Sequence, residues 1–247
     1  MDTTIELSNL VKVFRLGVRL KRVDALRGIS FSVPRGVVFG FLGPNGAGKT
    51  TTIKIVNGLI HPSSGSVSVF GRPVGSREVA SRIGYMPEQP YFYDYLSGRE
   101  ILVFYGRLFG LGHKEAARRA DELLDRMGLR EAKDRAIRKY SKGMMQRVGL
   151  AQALMNDPEL VILDEPMSGL DPIGRKEVRD LMADLKEQGK TLFFSSHILA
   201  DIEMVCDQVA IVHRGRIIEE GSVGTLLARA GDLVEVLARG PDRQPPL

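Results

Sequence analysis

Gly43, Pro44, Asn45, Gly46, Ala47, Gly48, Lys49 and Thr50 fit the pattern G-x-x-x-x-G-K-[ST]. Glycines at 43, 46 and 48 let the backbone turn so that several N–H groups point at one anion. Lys49 adds a point charge suited to β and γ phosphates, and the Thr50 hydroxyl is a ligand type for Mg²⁺. The loop alone says phosphate, since kinases, GTPases and many ATPases share it. The chain has no Asn-Lys-x-Asp, which a GTPase usually carries for its guanine base.

A second constellation lies downstream. Leu160 to Leu163 is an apolar run that ends on two acids, Asp164 and Glu165. Ligands of open α/β sheets bind at the C-terminal ends of strands. An Asp there can hold Mg²⁺ directly or through water. Glu165 points to the other face of the strand end or onto the following turn. From there it can take a proton from a water attacking a γ-phosphate. The alternative is a plain Asp-Glu turn before Pro166, and the phosphate loop upstream argues against it.

The flanking sequence positions both motifs. Val37 to Leu42 reads as a buried strand entering the loop, and Thr51 to Leu59 as the helix leaving it. That helix adds its positive end to the phosphate site. Ile5 to Leu10, Ile29 to Val33, Ser66 to Phe70 and Ile83 to Pro87 read as short strands. Ser97 to Glu100 is a capping box that opens a helix to about Leu111. Lys114 to Met127 is a second helix with Ala117, Ala120, Leu123, Leu124 and Met127 on one face. From about Pro90 to Asp157 no strand is evident, which predicts a helical insertion in an α/β domain. Met145 to Met155 and Lys176 to Gln188 read as helices. Leu160 to Leu163, Thr191 to Ser195 and Val209 to Val212 read as strands, and the alternation predicts a largely parallel sheet. After Gly221 the signal fades.

At 247 residues, 43% hydrophobic and 26% charged, the chain is an ordinary globular protein with a large core. One cysteine, Cys206, excludes an intramolecular disulfide and a four-cysteine zinc site within the chain. No signal peptide is evident, and no apolar run approaches the ~20 residues that span a bilayer. The net charge of +5 is concentrated between Lys12 and Arg35, where seven basic residues face one acid, Asp24. That stretch reads as a solvated basic loop, with a loop facing anionic lipid as the alternative. Nucleic-acid binding calls for broader basic coverage and is not expected.

Tyr140-Ser141-Lys142-Gly143-Met144, directly before a helix, resembles the signature motif of ATP-binding-cassette (ABC) proteins. The family order is then complete. Gln89 sits where the Q-loop glutamine belongs, Ser168 to Asp171 resembles the D-loop, and His197 resembles the switch histidine. Six motifs in order span about residues 5 to 222. The resemblance implies a phosphate-loop NTPase fold. Its parts would be a RecA-like mixed-sheet core, an N-terminal antiparallel β subdomain and an inserted helical subdomain at about 90–157. The cassette would cover 1–230, and 231–247 would be a short, partly disordered tail.

Residue roles follow from the same resemblance. ATP would be bound by Gly43 to Thr51, with Phe14 stacked on adenine. Asp164, Thr50 and Gln89 would hold Mg²⁺. Glu165 would be the general base, with Gln89 and His197 contacting the attacking water and the γ-phosphate. Ser141, Gly143 and Asp171 would close over the ATP of a second subunit, most simply in a homodimer. Lys142 and Met144 depart from the commonest signature, which has Gly and Gln there, and the basic stretch from Phe14 to Ala25 is longer than usual. The branch most resembled is the ATP-binding subunit of ABC-2-type exporters, through Tyr140 to Met144, Ser195 to Ile198 and Glu203 to Asp207.

That branch implies a separate integral membrane permease and a place on the cytoplasmic face of the cell membrane. Tyr91-Phe92-Tyr93-Asp94-Tyr95 holds three of the chain's six tyrosines. It reads either as an interface anchor for the permease or as core of the helical insertion. A soluble ABC mechanoenzyme acting on nucleic acid or ribosomes is the competing function. Such enzymes usually show paired cassettes, coiled-coil or zinc insertions, and none is evident.

Overall fold

A computed structural model describes residues 2–17 and 21–228. The expected tail at 231–247 lies outside the described residues. In chain order the elements are β1 (Thr3–Leu16), β2 (Lys21–Pro34), β3 (Val38–Leu42), α1 (Lys49–Val56), β4 (Ser64–Val69), β5 (Arg72–Pro73), α2 (Arg77–Ala80) and β6 (Ile83–Met86). Then follow α3 (Gly98–Leu108), α4 (His113–Arg126), α5 (Lys142–Ala153), β7 (Leu160–Asp164), α6 (Pro172–Glu187), β8 (Thr191–Ser196), α7 (Leu199–Val205), β9 (Gln208–His213) and β10 (Arg216–Ser222).

Two sheets form. A four-stranded antiparallel sheet has the order β2-β1-β4-β5, and a six-stranded sheet has the order β10-β9-β3-β8-β7-β6. In the larger sheet β9, β3, β8, β7 and β6 run parallel, and β10 is an antiparallel edge. This is the mixed-sheet core with an antiparallel β unit that the motifs imply. No strand occurs between β6 and β7, where α3, α4 and α5 lie.

Strand alternation divides the interior. On β7, Leu160 and Ile162 face the antiparallel sheet and α1, while Val161 and Leu163 face the helices. Phe39, Phe41 and Phe193 join the first set and meet Phe31 of β2, whose ring lies 5.3 Å from Phe41 and 5.6 Å from Phe39. That aromatic cluster ties the two sheets together. On the other face, Ile101, Leu102, Ala120 and Leu124 bring the helices onto Val161, Leu163 and Phe194. The capping box is present: Ser97 Oγ accepts from the Glu100 N–H, and Glu100 Oε2 accepts from the Ser97 N–H at 2.8 Å.

The expected basic loop from Lys12 to Arg35 is corrected. Most of it belongs to a hairpin of two 14-residue strands, β1 and β2. Register shifts at Leu7/Leu10, Leu10/Val11 and Lys12/Val13 break the simple alternation that would have marked these strands. The basic stretch is also not one surface. Arg35 reaches Asp2 and Glu159, Arg22 pairs with Asp24 at 2.7 Å, and Lys12 donates to the His61 carbonyl. Strand β10, after the last strand read from the sequence at Val209 to Val212, is not among the expected elements.

Candidate functional site

Strands β3, β8 and β7 are neighbours and parallel, so their C-terminal ends share one edge. From that edge come the phosphate loop after Leu42, Ser195 to His197, and Asp164 with Glu165. Sheet order thus brings together residues more than a hundred positions apart.

The loop and helix α1 form an anion cradle. Gly48 is the N-cap of α1 at φ 113°, a conformation that favours glycine, and no side chain caps the helix. The first N–H groups of α1 are therefore free to meet a phosphate. Lys49 is buried and folds back over its own loop. Its ammonium donates to the Gly43 carbonyl at 2.7 Å and to the Pro44 carbonyl at 3.3 Å.

Consecutive side chains of an extended strand point to opposite faces. Asp164 and Glu165 nevertheless serve one site. Glu165 leaves β7 in the left-handed region at φ 52°, an uncommon place for a residue with a side chain. Its Oε1 lies 3.1 Å from Lys49 Nζ, and its Oε2 accepts from His197 Nδ1 at 2.8 Å. Asp164 is fully buried. Burial raises its carboxyl above the ordinary carboxylate range, and hydrogen bonds from Ser195 and Thr50 oppose that shift.

Ser195, which the sequence offers only as part of the branch motif Ser195 to Ile198 and without a role, is a site residue. Its hydroxyl donates to Asp164 Oδ1 at 2.6 Å and accepts from the Glu165 N–H at 3.0 Å, so it fixes both acids.

Beside the loop opens a cleft of about 410 Å³, lined by Phe14, Val23, Asp24 and Ala25 of the hairpin and by Asn45, Gly46, Gly48, Lys49, Thr50, Thr51, Glu88 and Glu165. Phe14 lines this cleft, with the Lys12 ammonium 5.0 Å from its ring. Lining by β2 went unread because that stretch looked like a loop. Gln89 is exposed and does not line this cleft; its neighbour Glu88 does. Ser141, Gly143 and Asp171 are also not in it. Ser141 Oγ accepts from the Met144 N–H and caps α5, while Asp171 caps α6 through the Gly174 N–H at 2.7 Å.

A second, apolar groove lies between the edge of the parallel sheet and α3. Leu59, Tyr85, Pro90, Tyr91, Phe92, Tyr105 and Phe109 are among its lining residues. The aromatic segment divides there: Phe92 is buried, while Tyr91, Tyr93 and Tyr95 are 90%, 52% and 67% exposed. Neither reading of that segment as a whole, interface or core, holds for all of it.

The arrangement resembles known proteins throughout. The family model for ABC transporters matches residues 26–168. An uncharacterised ABC transporter ATP-binding protein of Synechocystis is 48% identical over 97% of this chain and 68% of its own length. The bacitracin transport ATP-binding protein of Bacillus licheniformis is 44% identical over 89% of this chain and 70% of its own. A solved ATP-binding subunit of an ABC transporter superposes with a TM-score of 0.80 at 32% identity, covering 94% of this chain and 98% of that one.

Proposed function

The chain belongs to the ABC transporter family as an ATP-binding subunit that couples ATP hydrolysis to transport, and from that premise we propose how its residues divide the work. Gly43 to Thr51 bind the phosphates of ATP, with Lys49 as the fixed cation, and Phe14 stacks on adenine. Glu165 takes the proton of the attacking water. His197, hydrogen-bonded to Glu165, orients that carboxylate and reaches the γ-phosphate. The observation that carries this reading is the contact of buried Lys49 and Glu165 at 3.1 Å, with the exposed His197 bonded to the same carboxylate at 2.8 Å.

The acidic end of β7 fits Mg²⁺. Asp164 Oδ2 is buried without a hydrogen-bond partner, and the Thr50 hydroxyl faces the same carboxyl. Asp164 and Thr50 would hold the ion, which when bound neutralises phosphate charge. Gln89 lies between Glu88, at the nucleotide cleft, and Pro90, at the aromatic groove. That position supports a role in sensing what occupies the groove.

Two partners complete the assembly. Ser141, Gly143 and Asp171 stand outside their own chain's cleft, so they serve the cleft of a second copy, in a head-to-tail homodimer around two ATP molecules. The exposed Tyr91 at the aromatic groove, with the exposed Tyr93 and Tyr95 that follow it in the chain, docks a membrane permease. Among the described residues no helix is long and apolar enough to cross a membrane. The ABC-2-type motifs support a place on the cytoplasmic membrane face, working with a separate permease. Likeness to a bacitracin transport protein and the ABC-2-type motifs support export.

The test is Glu165→Gln. With ATP and Mg²⁺ this variant should bind nucleotide, fail to hydrolyse it and accumulate as a dimer in light scattering. A variant that stays monomeric with ATP, alone and with its copurified membrane partner, sinks the sandwich reading.

A further inference from the structure

Asp24 is used neither by the core nor by the roles above, yet it lines the nucleotide cleft. Its place in the hairpin is fixed from both sides. Val23, the residue before it, is paired across the strands with Phe14. Ala25, the residue after it, has its carbonyl against the phosphate loop: a Cβ on Gly48 would come within 2.9 Å of that oxygen. The register shift at Lys12/Val13 places Lys12 opposite Leu26 and Val13 opposite Asp24, so Ala25 is an extra residue on β2. Such a bulge re-aims side chains beside a site. Further along β2, the Arg27 N–H donates to the Gly215 carbonyl at 2.8 Å, and the Gly215 N–H donates to the Ala47 carbonyl at 2.9 Å. The strand is thereby tied to the phosphate loop, and Asp24 stands between the aromatic end of the cleft and its phosphate end. Val23 to Ala25 covers ~7 Å of strand, a length suited to the sugar that joins a base to its phosphates.

We propose that Asp24 recognises the ribose of ATP, its carboxylate accepting a hydrogen bond from the 2′- or 3′-hydroxyl, and so makes the cleft selective for ribonucleotides over deoxyribonucleotides. The inference rests on the assignment of adenine to Phe14 and of phosphate to the Gly43 loop. An ionised carboxylate only accepts hydrogen bonds. Phosphate oxygens are anionic acceptors and repel it, and the donors in the middle of the nucleotide are the sugar hydroxyls. Among the described residues, the one donor to this carboxylate is Arg22 Nε, 2.7 Å from Oδ1, which leaves Oδ2 to take another. Arg22 also offsets the charge that Asp24 brings toward a polyanion. As a surface pair, with side chains 72% and 33% exposed, the two add little to stability. A site that hydrogen-bonds a substrate hydroxyl discriminates against the analogue lacking it, because its acceptor is then left unpaired. Water reaches this partly open carboxylate, which keeps the selectivity to several-fold.

The test is calorimetric titration of the chain, with Mg²⁺, by ADP, 2′-deoxyADP, 3′-deoxyADP and inosine diphosphate, none of which turns over. The parent should bind ADP about fivefold or more tighter than at least one deoxy analogue. Asp24→Ala should bring that ratio to within about twofold of unity, and Asp24→Asn, which keeps an acceptor oxygen, should retain part of it. The ratio is the readout because removing a carboxylate near the phosphates shifts the affinity for all four nucleotides together. A parent that binds ADP and both deoxy analogues within about twofold overturns the proposal, as does an Asp24→Ala ratio equal to the parent's. So does a loss of preference for ADP over inosine diphosphate in Asp24→Ala with the sugar ratio unchanged, which would place the carboxylate on the 6-amino group of the base. Phe14→Ala separates this from the cleft assignment. If Phe14→Ala weakens ADP binding while Asp24→Ala keeps the sugar ratio, only the role of Asp24 falls. If Phe14→Ala binds ADP as the parent does, adenine is not at Phe14 and the role of Asp24 falls with that assignment.

Discussion

The Lys49 ammonium lies 3.1 Å from Glu165 Oε1, with the two side chains only 6% and 8% exposed. The group that should bind phosphate and the group that should deprotonate water hold each other. The contact is an ion pair without hydrogen-bond geometry, since Glu165 Oε1 accepts no hydrogen bond. An incoming phosphate must compete with the carboxylate for Lys49. In the proposed mechanism, losing that partner is what would free Glu165 to act as a base.

Glu165→Gln should therefore change binding as well as turnover. Without nucleotide, Lys49 keeps the Gly43 and Pro44 carbonyls but loses its counter-charge. The free chain should lose about 1–3 kcal/mol of stability. ADP should bind several-fold tighter, because its phosphates no longer displace a carboxylate. Calorimetric ADP titration and thermal melts of both chains check this. Equal ADP affinity and equal melting would show that the pair does not restrain Lys49.

Asp164 supplies a pH signature. Burial keeps its proton to a higher pH in the folded chain than in the unfolded chain. Across that window the folded state binds more protons, so stability falls as pH rises from the ordinary carboxylate range through the raised folded value. Asp164→Asn removes this loss while abolishing hydrolysis. Without nucleotide or metal, its melting temperature should exceed that of the parent at neutral pH, and the two should converge on acidification. A parent more stable than the variant at neutral pH would mean that Ser195 and Thr50 outweigh burial.

Much of this site is legible in the sequence because each motif announces its own local geometry. The phosphate loop carries its glycines, and the strand into Asp164 carries its apolar run. The links between motifs are different. Ser195 reads as an ordinary strand residue until β8 is known to lie between β3 and β7. The left-handed turn at Glu165 has no glycine to mark it. The hairpin hides behind bulges that shift its alternation, and β10 behind the register shift at Ile217/Glu219. Helix α6 begins at Pro172, four positions before the periodic face becomes obvious, on the signal of a capping Asp171 followed by proline.

The hairpin makes Phe14 testable. Phe14↔Val23 is a cross-strand pair, and both residues line the cleft. Phe14→Ala should remove a base-stacking surface worth about 1–3 kcal/mol, raising the KM for ATP about tenfold or more with little change in kcat. Steady-state kinetics at saturating Mg²⁺ measure it. An unchanged KM would move adenine elsewhere in the cleft.

The aromatic segment should separate docking from folding. Tyr93 and Tyr95 are exposed, with rings 5.9 Å apart, and Tyr93 meets Phe104 edge-on at 6.1 Å. Replacing both tyrosines by Ala removes surface that the isolated chain leaves in water. Stability and basal ATPase should hold, while copurification with the permease and coupled transport should fail. Phe92 is 6% exposed and packs edge-on against Tyr105. Phe92→Ala should instead cost about 3–5 kcal/mol and destabilise the helical region. Thermal melts, basal ATPase and a pull-down with the membrane subunit separate the two variants. If the double tyrosine variant melts as early as Phe92→Ala, the tyrosines belong to the core. If it melts like the parent and still copurifies with the permease, the docking face lies elsewhere.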